Sequence, residues 1–88
     1  MADVFLSELA ESELRELSPS DQKEVARAIS FLEDDKFRKQ NRINLLLIED
    51  RHEIYALIVG IIWLGFYEDS DKLVMLVHMS IRSRFHAS

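Results

Sequence analysis

The sequence contains no cysteine, a single proline and two glycines. Without cysteine there can be no disulfide, no thiol nucleophile and no thiolate-rich zinc site, and the composition fits a reducing, cytoplasmic setting. With only Gly60 and Gly65 available, a glycine-rich loop that cradles phosphate with its backbone is not expected. The longest nearly apolar stretch, Ile54 to Tyr67, contains both glycines and falls short of the roughly 20 residues that a membrane helix needs. No cationic start followed by an apolar segment marks a signal peptide, so neither secretion nor membrane insertion is expected. Acidic residues on the predicted helices fall at solvent-face spacing, and no His-Asp/Glu-His run has the spacing of metal ligands. No metal or cofactor is implied.

What remains is a short, charged chain. Its 88 residues suffice for one domain over residues 1–88 with a thin core. The formal charge of −5 is uneven: residues 1–35 carry ten acids and three bases, while residues 36–88 carry eight bases and six acids. An acidic total opposes tight autonomous binding of nucleic acid, because such binding draws on neutralised phosphates. A local basic face in the second part of the chain stays open.

Val4-Phe5-Leu6 is a short apolar stretch ending at Ser7, whose hydroxyl can cap a following helix. Leu9, Ala10, Leu14 and Leu17 then recur on one side at helical spacing. Ser18-Pro19-Ser20-Asp21 closes that helix and opens another, since proline suits a first helical position. Val25, Ala28, Ile29 and Leu32 form the buried stripe of the second helix. Asp34 to Arg42 reads as a polar linker, and its basic cluster Lys36, Arg38, Lys39 and Arg42 suits either a solvated loop or contact with nucleic acid or an acidic partner.

Beyond Arg42 the periodicity changes from helical to alternating. Ile54 to Val59, Ile61 to Tyr67 and Leu73 to Met79 are rich in β-branched and aromatic residues and read as strands. Ile43 to Ile48 is a fourth strand or an irregular apolar connector. The polar run Glu68 to Asp71 suits a hairpin loop. The expected fold is α+β: an N-terminal strand, then a helical hairpin packed on a small antiparallel sheet.

The last segment, Leu76 to His86, joins an apolar strand to a tail with two arginines and two histidines. Arg82 and Arg84 alternate by two, so a strand would set both on one face; phosphate contact, partner contact and a solvated edge are all open readings. His86 is either a functional group or part of a loose terminus. His78 suits an outward-facing strand position better than a ligand, and His52 lies in a charged turn. Trp63 suits the core or, on an open sheet face, a base-stacking platform.

Taken in order, Val4-Phe5-Leu6-Ser7, Leu17-Ser18-Pro19, Tyr55-Ala56-Leu57-Ile58-Val59-Gly60, Phe66-Tyr67-Glu68-Asp69 and Val77-His78-Met79-Ser80-Ile81-Arg82-Ser83 resemble the RelE/ParE superfamily of bacterial toxins. The resemblance covers nearly the whole chain. It implies a β-α-α-β-β-β layout, a cognate antitoxin as partner, and action either on messenger RNA at the ribosome or on a protein target such as DNA gyrase. In the ribonuclease branch, cations on the concave sheet face hold phosphate, and a C-terminal tyrosine or histidine moves a proton. By that resemblance Arg82 and Arg84 are the phosphate-binding residues and His86 the proton carrier of an mRNA endonuclease that arrests translation. At positions where family members often carry arginine, this sequence has Ala56, Ile58, Trp63 and Ser80. Ribosome-dependent cleavage of messenger RNA is the leading expectation; that departure favours the alternative, a non-catalytic ParE-like binder, and a degenerate member that only binds a partner is the third reading.

Overall fold

The computed structural model describes residues 1–81, and its elements follow local chemistry closely. The first helix, α1 (Glu8–Arg15), starts at Ser7, whose Oγ accepts the Ala10 N–H at 3.1 Å. Ser18 caps the second helix, α2 (Pro19–Glu33), by accepting from the Asp21 N–H at 3.2 Å, with Pro19 in the first turn where its missing N–H costs nothing. Gln22 donates its amide to Leu14 O and Leu17 O, taking up carbonyls that the end of α1 leaves free. Asp34 ends α2 and caps a third helix, α3 (Asp35–Asn41), by accepting from the Phe37 N–H at 3.1 Å.

That third helix corrects the expected linker over Asp34 to Arg42. Its basic cluster is not a solvated loop. Arg38 is fully buried: its Nε donates to Glu68 at 2.7 Å and its Nη1 to Leu32 O at 2.6 Å, with Asp35 at 3.1 Å. Arg42 pairs with the same Glu68 and lies over the Tyr55 ring, 4.4 Å from its centroid. Two cations of the cluster are thus committed to joining α3 to the sheet.

The sheet has five strands, β1 (Asp3–Leu6), β2 (Ile43–Glu49), β3 (His52–Val59), β4 (Ile62–Ser70) and β5 (Leu73–Ile81), in the order β1-β5-β4-β3-β2. It is mixed, not antiparallel throughout, because β1 runs parallel to β5 while the other neighbours are antiparallel. The Ile43 segment is a strand. Asp50 and Arg51 both take positive φ, 51° and 65°, and so form the primed turn that matches strand twist between β2 and β3. Gly60, at φ 61°, supplies the positive φ at the first central position of the next turn. The third turn is the two residues Asp71 and Lys72, tighter than the four-residue loop expected, because β4 continues to Ser70.

All helices lie on one face of the sheet. Ala10, Val25, Ala28 and Leu32 pack there against Leu57, Ile62, Leu64, Phe66, Val74 and Leu76, with Leu14, Leu17, Ile29 and Val59 partly buried around them. The paired residues Leu57 with Leu64 and Tyr55 with Phe66 mark this face; Ala56 with Gly65 and Ile58 with Trp63 mark the other. Among the described residues, no helix is long and apolar enough to cross a membrane.

Candidate functional site

The face without helices is apolar and can be followed in three rows across the strands. In the first, Phe5 pairs with Met75 and Met75 with Tyr67, while Leu47 pairs with Ile54. The second joins His78, Gly65, Ala56 and Ile43, and the third joins Ser80, Trp63 and Ile58. None of these residues is lysine or arginine. Gly65, with no side chain, leaves the middle row low, and a hollow of about 360 Å³ opens beside it. It is lined by Leu45, Leu47, Ile48, Glu49, Ile54, Gly65, Val77 and His78.

Two histidines border this face, each beside a carboxylate. His78 is exposed, and its Nδ1 stands 2.8 and 3.0 Å from the two Glu13 oxygens. A carboxylate only accepts, so Nδ1 carries the proton and Nε2 keeps a lone pair in the neutral ring. Glu13 also accepts the Met79 N–H at 3.1 Å, which fixes α1 against β5 and holds the carboxylate in place. Sequence spacing put Glu13 on a solvent face; only the approach of α1 to a residue 65 positions away brings the pair together. At the other end, His52 Nε2 lies 3.0 Å from Asp69 Oδ1, and its ring stacks on Tyr67 at 4.4 Å.

The potential on this face is negative at the β2–β3 end. The Tyr67 phenol is held above its ordinary pKa of 10.0, first by burial and then by the charges of Asp50, Asp69 and Glu49. Phosphate would meet acids there. The arrangement can bury an apolar partner segment and place one oriented imidazole beside it.

Arg82, Arg84 and His86 lie outside the described residues, which end with β5 at Ile81. Ala56, Ile58, Trp63 and Ser80 do share the open face. Gly65 is a site residue that sequence reading passed over. The available signal was an isolated glycine within a strand run, which often marks a place where another group comes close. Comparison with protein-family models, with curated proteins and with solved structures finds no match.

Proposed function

We propose that this chain is the toxin component of a RelE/ParE-like toxin–antitoxin pair and that it acts by binding a protein target, not by cutting RNA. One observation carries the choice between the two. Among the described residues, the open sheet face is apolar, has a hollow at Gly65 and acids at one end, and presents no lysine or arginine in its three rows. Cleavage of RNA asks for cations around the developing phosphorane, whereas an apolar hollow with an acidic border suits a protein segment with apolar and basic side chains. The element order supports the family reading in part, since one strand, a pair of helices and successive antiparallel strands occur in the order that the resemblance implies, with α3 and a fourth antiparallel strand in addition.

Induced expression of the chain alone in a bacterium tests this. Growth arrest with intact messenger RNA, lost in Trp63→Arg on the exposed part of this face and kept in the triple variant Arg82→Ala, Arg84→Ala, His86→Ala, is the expected result. Coexpression of the cognate antitoxin should restore growth.

A second reading, ribosome-dependent mRNA cleavage, is favoured by the Glu13–His78 pair, which supplies an oriented imidazole beside the face. Under it, cut messenger accompanies the arrest, and removal of residues 85–88 abolishes both.

A further inference from the structure

The hollow beside Gly65 is built by three departures from regular strand at nearly one level of the sheet. On β2, Leu45 and Leu46 are extra residues between the Asn44–Tyr55 and Leu47–Ile54 pairs. Leu46 takes the left-handed φ of 58°, with Asn44 Oδ1 accepting its N–H at 2.8 Å, and Leu45, Leu47 and Ile48 line one wall of the hollow. On β5, Val77 is the extra residue between the His78–Gly65 and Leu76–Phe66 pairs, and it lines the opposite wall with His78. Between the walls Gly65 contributes no side chain, and Ile54 forms part of the floor. Bulges bend a strand and re-aim its side chains, and an isolated strand glycine marks a place that another group approaches closely. Here both devices shape one cavity.

The polar groups at the two walls are both acceptors. On β5, Glu13 takes the Nδ1 proton of His78, which leaves Nε2 as an acceptor in the neutral ring. On β2, Glu49 lines the hollow, and Asp50 and Asp69 stand near it, as the joint effect of these three charges on the Tyr67 phenol shows. Asp69 is shared with His52, and Arg51 in the turn offsets part of the charge. The backbones of β2 and β5 are three strand spacings apart, roughly 14 Å, too far for one small group to meet both acceptors. A matching occupant is long, with a donor at one end, hydrocarbon in the middle and a cationic donor at the other. An arginine or lysine residue has that order in its backbone N–H, its aliphatic stem and its charged head. We infer that the hollow is the pocket for one basic side chain of a protein partner, with its stem over Gly65 against Leu47, Ile54 and Val77, its head at Glu49 and its backbone N–H directed to His78 Nε2. The inference rests on the reading of this face as a protein-binding surface, and adds the residue type that the partner presents there. An acidic side chain would meet like charge at Glu49, and a wholly apolar one would gain nothing from it.

Small probes test this on the full chain. In an amide NMR titration, N-acetyl-arginine methylamide should shift Glu49, Gly65, Val77 and His78, with a dissociation constant on the order of a millimolar, the level that a ligand of this size reaches. The norleucine analogue, which has a stem but no charge, should bind roughly two- to fivefold more weakly, the scale of one ion pair at a water-exposed rim. The glutamate analogue should leave these resonances unmoved. Glu49→Gln should remove most of the preference for arginine over norleucine, and Gly65→Val, which fills the hollow, should abolish the shifts from both. Circular dichroism checks that each variant folds, and Glu49→Gln, on the exposed rim, carries the test if Gly65→Val does not. No shift with the arginine probe, shifts confined to other parts of the chain, or norleucine bound as tightly as arginine overturns the inference. So does a preference that Glu49→Gln leaves intact. The toxin reading is decided separately by the growth assay: arrest with intact messenger RNA beside a hollow that ignores arginine removes this inference alone, whereas arginine binding without arrest keeps the pocket and removes the toxin.

Discussion

Arg38 is the residue on which the most depends for its size. It is the only buried charged residue among those described, held by Glu68, Asp35 and the Leu32 carbonyl. Removing one member of a buried ion pair costs about 3–5 kcal/mol, chiefly through the partner left behind. Glu68 keeps Arg42, so Arg38→Met should cost about 3 kcal/mol, at the low end of that range; urea unfolding measures it, and a loss near zero would show that α3 is not fixed by this contact. Tyrosine ionisation gives a second measurement. Tyr55 donates to Glu53 at 2.8 Å, and this bond, then burial, raises its pKa from the ordinary 10.0, as burial and nearby acids do for Tyr67. A raised folded-state pKa contributes stability that is present below pH 10.0 and is lost as pH climbs through the raised value. Ultraviolet titration should therefore show two phenols ionising late, with stability to urea falling over the same alkaline range.

Among elements, the two longer helices were legible because their caps are written in the chain: Ser7, Ser18 and Pro19 sit where caps are needed. α3 was not legible. A seven-residue helix whose one buried residue is an arginine presents no apolar stripe, and its Asp34 cap resembles any polar turn. The inner strands announced themselves by alternation, while β2 stayed ambiguous because all its residues are exposed and no alternation is imposed on it. The parallel pairing of β1 with β5 joins segments about seventy residues apart, and nothing local encodes it. The candidate face shows the same division: its apolar residues could be read, but the Glu13–His78 contact depends on tertiary approach. Within β4, Gly65 forms the floor of the hollow, and a Cβ added there would meet His78 Cβ at 3.6 Å, an ordinary contact. Gly65→Ala should then fold with stability raised by about 0.5–1 kcal/mol, since glycine in a strand loses more entropy than alanine. Partner binding through the hollow should weaken in the same variant, as a titration with the isolated target or antitoxin would show.

For the molecule as a whole, charge sets the limits. A −5 chain in which Arg38 and Arg42 are tied to Glu68 can displace few counterions from RNA. Binding to isolated RNA should be weak and should vanish at moderate salt in fluorescence anisotropy; nanomolar binding at physiological salt would refute this reading of the electrostatics.

The two borders of the sheet differ in a way that governs assembly. Past the four residues of β1, the rim of β5 is taken over by α1, with Ser7 donating to Val77 O at 3.0 Å and Glu13 receiving the Met79 N–H. The other border, β2, is blunted from within: the left-handed Leu46 and the register shift beside it interrupt the ladder, and a bulged strand bends away from the straight template that amyloid growth requires.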